Sequence, residues 1–283
     1  MRLPLVAADD WGHGAVAVSS RVSPDYKRER LPNGHFKTET YVVGKGGFYG
    51  STIKDDSEDR MSFPYIVRTV AGPLRQQGYV PVNDKSRADL LLLVYWGTTN
   101  DQHQALSSMT TPGMPVGPAT NFSVAPTGRG GGASVKAGAR STSADSVSGG
   151  LMLQEYTDRM SADAQTAGIL GYEDWWSSVQ QYQGTVWAYK MNDMLEELER
   201  PRYLVAILAY DYRLMRAHKG PKLVWETRYS VDMRGHDFDK DLPAMTLRAA
   251  AYFGQDSGGV LHDSLPEGHV EVGVPRVIGT VDH

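Results

Sequence analysis

Small and β-branched residues alternate with polar ones from Gly14 to Val22, and again from Phe36 to Val43 after a turn signal at Pro32-Asn33-Gly34. A period of two buries one side of an extended chain, so both stretches are predicted strands. The run Gly44 to Gly50 breaks the alternation and predicts a turn. Further on, Phe63, Ile66, Val67, Val70, Ala71 and Leu74 recur at three-and-four spacing, which places one apolar stripe on a helix facing a sheet. Pro64 is tolerated in its first turn, Gly72-Pro73 should kink or shorten the last, and Gly78 closes it. From Ala88 to Trp96 the chain is apolar on both alternating faces, as in a central strand covered on two sides.

Helical spacing returns between Leu151 and Leu198, most clearly at Trp187, Met191, Met194, Leu195 and Leu198, and stops before Pro201. Gly168, Gly171 and Gly184 divide it into two or three helices. Leu204, Ala206, Leu208, Tyr210 and Tyr212 then share one face of a strand. After a turn at Lys219-Gly220-Pro221, Leu223, Trp225, Thr227, Tyr229 and Val231 face one way and Glu226, Arg228, Ser230 and Asp232 the other. This predicts a long antiparallel hairpin. A last helix is expected from Asp241 to Phe253, stopped by Gly254, and Val270 to Ile278 reads as a final edge strand because of Pro275.

The order of elements predicts an α+β fold: a mainly antiparallel sheet with helices packed on it and a long insertion. Residues 14–283 form one domain, since either flank of the insertion alone lacks a complete core. Residues 107–150 are Gly, Ser, Thr, Ala and Pro with few large apolar side chains, so they form a flexible insertion or a loop ordered only by a partner. Residues 151–200 form a helical insertion. Residues 1–13 read as a signal-like or frayed start, because the apolar run Leu3 to Ala8 ends in small residues ahead of Asp9-Asp10, as in the last part of a secretory signal.

Composition narrows the functional classes. The chain has 283 residues, 41% hydrophobic and 22% charged, with a formal net charge of −4. It carries no broad cationic field for phosphates, which argues against a nucleic-acid partner. The basic cluster Lys27, Arg28 and Arg30 is interrupted by Glu29 and reads as a solvated loop. No cysteine is present, which removes thiol catalysis, thiolate metal sites and disulfides. No stretch reaches the roughly 18 apolar residues of a transmembrane segment.

The candidate chemistry is sparse. His236-Asp237-Phe238-Asp239-Lys240-Asp241 places His236, Asp237, Asp239 and Asp241 at alternate positions, as in calcium loops. Leu242 and Arg248 stand where that loop needs a glycine and a bidentate acid, so acidic caps of the last helix are the better reading. His262, Asp263 and His269 flank the turn Pro266-Glu267-Gly268 and offer a second, weaker metal set. Neither glycine run leads into a helix as a phosphate loop must, and no Gly-x-Ser-x-Gly elbow or Ser-x-x-Lys occurs at Ser134-Val135-Lys136. Aromatic rings crowd one region: Tyr172, Trp175, Trp176, Tyr182, Trp187 and Tyr189 lie beside Glu173 and Asp174. If exposed, Trp175 and Trp176 form a stacking platform for a glycan or a protein partner; if buried, they are core.

Three features together carry a family resemblance: the strand Glu39-Thr40-Tyr41-Val42 entering a glycine turn, a helix ending in Gln76-Gln77-Gly78-Tyr79, and Ala88-Asp89-Leu90-Leu91 leading to Tyr95-Trp96-Gly97. Over about a third of the chain this resembles uncharacterised bacterial envelope lipoproteins of a small α+β type. The resemblance implies export and fold and transfers no functional residue; the missing cysteine departs from it, since a lipoprotein needs one to acylate. The expected function is therefore a non-enzymatic, exported interaction or structural protein of the periplasm or cell envelope, with no cofactor and with an envelope protein or a glycan as partner. The alternatives are a glycan-binding or glycan-cleaving protein using the Trp175 region and a metal-dependent hydrolase; the alternative location is cytoplasmic.

Overall fold

The computed structural model describes residues 15–49, 56, 60–99, 160–181 and 188–265. The expectations for residues 1–13, for the insertion 107–150, for Trp187 and for a strand at 270–278 lie outside these described residues.

The predicted elements appear as β1 (Ala15–Val22), β2 (Glu39–Tyr49), α1 (Phe63–Gln76) and β4 (Leu90–Thr98), with a short strand that periodicity did not predict, β3 (Tyr79–Pro81), between the last two. Helices α2 (160–170), α3 (Glu173–Gln181) and α4 (Ala188–Glu199) follow, then β5 (Arg202–Asp211), α5 (Tyr212–Arg216), β6 (Leu223–Asp232), α6 (Phe238–Ala249) and β7 (Val260–Ser264). The strands form one sheet in the order β3-β2-β4-β5-β6-β1-β7. β2 runs parallel to β3 and β4, and every other pairing is antiparallel. The fold is α+β. A parallel pair needs a crossover, and α1 makes the one from β2 to β4.

The apolar stripe of α1 does what its spacing predicts. Ile66, Val70 and Leu74 are buried on the same core as Leu90, Leu92, Val94 and Trp96 of β4 and Tyr203, Val205, Ile207 and Ala209 of β5. Phe238, Leu242, Met245 and Ala249 bring α6 to that face. The opposite face carries Ala17 and Leu204, against which Leu170, Tyr172, Trp176, Met194 and Leu198 of the helical segment pack. The sheet is thus covered on both sides, which is why β4 and β5 read as nearly continuous apolar runs.

Several boundaries differ from expectation, three of them for a reason visible in the structure. β2 does not end at the glycines but runs through them to Tyr49, with a register shift between Lys45 and Gly47. The glycines serve close approach: a Cβ on Gly46 would lie 2.4 Å from the Tyr95 ring, and one on Gly44 2.8 Å from Leu93. Tyr212 begins α5 instead of ending β5, because the Asp211 carboxylate accepts the Leu214 N–H (3.0 Å) and caps a helical turn. Finally, α6 starts at Phe238 and not at Asp241. Pro243, inside α6, supplies no N–H to the Asp239 carbonyl, and the Tyr65 hydroxyl of α1 donates to that carbonyl instead (2.8 Å).

Candidate functional site

The polar row of β6 faces away from Trp225, as its alternation predicts, but it is buried beneath the helical segment. Glu226, Arg228 and Ser230 pair across from Leu208, Ala206 and Leu204. Arg228 Nη2 bonds Glu226 Oε2 at 2.9 Å, while Nη1 donates to the carbonyls of Gly168 and Ile169, the latter at 3.1 Å. Those carbonyls belong to the last turn of α2, so a buried cation meets the negative end of a helix.

Gly171 then turns the chain with φ +82°, and its carbonyl accepts the Ser19 hydroxyl at 2.7 Å. This turn sets down α3 with Glu173 and Asp174 in its first turn, where acidic groups favour the helix dipole. Arg21 of β1 takes both: its Nη2 pairs with Glu173, and its Nε stands 3.4 Å from Asp174, whose side chain is 82% exposed. Trp176 is 2% exposed and part of the core, whereas Trp175 is half-buried against it, the two rings tilted at 52° with centroids 6.3 Å apart. The four sequence-predicted binding residues therefore share one helical turn. Trp176 offers no open face for stacking, and both acids face an arginine. Tyr182 and Trp187 lie outside the described residues.

One residue that sequence reasoning missed is the most heavily coordinated acid of the region. Glu197 of α4 is 7% exposed. Its Oε1 accepts the Tyr172 hydroxyl at 2.8 Å and lies 3.1 Å from Arg202 Nη1, and its Oε2 is 2.9 Å from His262 Nε2. Arg202 is itself fixed by Ser230, through Nε to Oγ (2.9 Å) and Nη2 to the carbonyl (3.2 Å). Burial pushes the Glu197 carboxyl up, but the Arg202 charge and the hydrogen bonds from His262 and Tyr172 outweigh it and hold the group down at about 2. Burial, with the Glu197 charge adding to it, pushes the Tyr172 phenol well above its ordinary range. The cluster joins the turn ahead of α3 to α4, β5 and β7, and the Glu197 carboxylate is ionised at neutral pH. Only Arg202 could have been suspected, because it shares the face of Leu204 and Ala206 in β5.

The acidic segment before α6 disperses. Asp241 Oδ2 accepts the Asp237 N–H (3.0 Å) and lies 2.9 Å from His236 Nδ1; Asp239 takes Arg60 through two oxygens (2.7 and 3.0 Å); Asp237 pairs with Lys240. Asp241 thus closes the first turn of the helix, as a capping acid does. In the second set, His262 turns to Glu197 and Asp263 to Arg248 (3.2 Å), and His269 is outside the described residues. Among the described residues, no three His, Asp or Glu groups stand together as a metal set. The basic cluster also differs from expectation: Lys27 and Arg30 are exposed, but the Arg28 side chain is only 3% exposed.

No protein-family model matches the chain, and no curated protein matches it.

Proposed function

We propose that the chain is an exported, non-enzymatic interaction or structural module of the bacterial cell envelope. The observation that carries this reading is the state of the buried charges. Glu197, Glu226 and Arg228 each face fixed protein partners, and Glu197 is held far below neutrality. A general acid or base needs a pKa near the working pH and an open side toward substrate. Charges locked in this way hold layers together instead. The segment 107–150, rich in Gly, Ser and Thr, comes in the sequence between β4 and the helices α2 to α4, and its composition suits chain that a partner orders. The envelope setting rests on the signal-like start and on the family resemblance of the β2, α1 and β4 segments.

The test is made in the native host. Cell fractionation is expected to place the tagged chain in the envelope or periplasmic fraction. In-cell crosslinking is expected to give a discrete partner that is lost when residues 107–150 are deleted, with the thermal midpoint unchanged. Recovery of the chain from the cytosol alone, or a crosslinking pattern indifferent to the deletion, overturns the reading. A glycan-binding reading keeps one support, the half-buried Trp175 beside Asp174. A glycan array with Trp175→Ala as control separates the two.

A further inference from the structure

The strap joining β1 to β2, residues 23–38, carries a buried cation whose donors are unmet. The base of the strap is pinned to the sheet by the Ser23 N–H on the Val224 carbonyl (2.8 Å). Beyond it the chain folds on itself, with Leu31 N–H on the His35 carbonyl, Gly34 N–H on that of Leu31 and Lys37 N–H on that of Glu29. Among the described residues, the hydrogen bonds of residues 29–37 all close within the strap.

Arg28 lies under this hairpin. Its guanidinium carbon is 4.2 Å from the centroid of Phe36 on the strap and 4.1 Å from that of Tyr79 on β3. Glycines complete the slot: a Cβ at Gly78 would come 3.2 Å from Arg28 Nη2, and one at Gly254 3.4 Å from its Cδ. The two rings attract the cation through their π faces but offer its five N–H donors no lone-pair acceptor. Nε, Nη1 and Nη2 are all buried, and among the described residues none accepts a hydrogen bond from them. The nearest carboxylate, Glu39, stands 3.8 Å from Nε and is engaged by the Tyr26 hydroxyl. Buried charged donors with no acceptor are among the costliest unmet polar groups. The closed strap therefore carries a cost that an incoming acceptor would remove.

A route to the slot is present. An open groove of about 450 Å³ runs between the strap and the end of α1, bounded by Asn33, His35, Phe36, Arg75, Gln77 and Gly78 among others, and none of the described lining residues is acidic. Phe36 and Gly78 belong to both groove and slot.

We propose that Arg28 anchors a binding site for a small molecule bearing an oxyanion, carboxylate or phosphate, reached when residues 29–37 lift Phe36 off the guanidinium. The planar fork of Arg28 then meets two oxygens at once, the geometry guanidinium groups favour. Arg75 adds a second cation from the groove, and Tyr79 remains as the platform beneath. This site is independent of the envelope reading.

The test uses the full chain and two probes, inorganic phosphate and succinate, each compared with sodium chloride at equal ionic strength. At saturation, at least one probe is expected to raise the thermal midpoint by roughly 2–4 °C. The probe that acts identifies the oxyanion, and action by both identifies a site that accepts either. Arg28→Met keeps the length of the side chain and removes the charge, so it is expected to abolish the response without lowering the midpoint of the ligand-free protein. Arg75→Gln, at an exposed position, is expected to weaken binding several-fold. Phosphate also stabilises proteins generally by exclusion from their surface. An equal rise in wild type and Arg28→Met therefore overturns the proposal. So does a midpoint unmoved by either probe, or an Arg28→Met protein markedly less stable than wild type, which would make the cation purely structural.

Discussion

Replacing Glu197 by glutamine preserves the shape of the side chain and removes its charge, leaving Arg202 buried at 4% exposure without its carboxylate. The magnitude follows in two ways. The carboxyl sits at about 2 in the folded protein against an ordinary 4.5, a difference that corresponds to about 3 kcal/mol of stability at neutral pH. Breaking a buried ion pair by removing one partner costs about 3–5 kcal/mol. The two agree, since both count the charge interactions that the neutral form loses. The sign is that of a depressed carboxyl: the contribution is fully present above about pH 5 and is lost as pH falls toward 2. Urea unfolding followed by circular dichroism at pH 7, 5 and 3 is therefore expected to show Glu197→Gln about 3 kcal/mol less stable than wild type at pH 7, with the gap narrowing at pH 3. A gap under about 0.5 kcal/mol at pH 7, within the range of ordinary surface substitutions, would refute the reasoning. So would a gap that does not change with pH. A double variant, Glu197→Met with Arg202→Met, is expected to recover much of the loss, because removing both charges leaves neither unpaired.

Gly46→Ala sets a methyl group 2.4 Å from the Tyr95 ring and is expected to cost about 1–3 kcal/mol in thermal unfolding, with Tyr95→Ala in the same chain making the two losses less than additive. Trp176→Ala is expected to cost about 3–5 kcal/mol and Trp175→Ala clearly less; equal losses from chemical unfolding would mean that Trp175 is core as well. Tyr65→Phe leaves the Asp239 carbonyl without its donor and is expected to lower stability by about 1 kcal/mol, measured by urea midpoint, while Tyr252→Phe serves as an unrelated tyrosine control.

The two strongest periodic signals translated directly into structure. The three-and-four spacing of Ile66, Val70 and Leu74 could bury all three side chains only as a helix on a sheet, and the two-sided apolar run at β4 could only be a strand with cover on both faces. The glycine run in β2 misled because glycine carries two meanings. It marks turns, and it also marks places where a side chain of the next strand needs room; which one applies depends on Tyr95, some 50 residues away in sequence. The aromatic cluster was half legible: adjacent helical residues must point differently, so Trp175 and Trp176 had to differ in burial, but which of them faced the core awaited the helix's orientation. The buried charges were nearly silent. Glu197 looks like any acid on an amphipathic helix until Arg202, Tyr172 and His262 arrive from three other elements.

By itself the sequence determined the longer elements, their type and the α+β class, because hydrophobic periodicity is a local property and local geometry responds to it; the short β3, α5 and β7 were set by their neighbours in the fold. Only the tertiary structure decided which charges are buried, which of them are paired and which are left without a partner. Those depend on distances between residues far apart in the chain: the Arg21 to Glu173 pair and the Arg28 slot between Phe36 and Tyr79 are both of this kind.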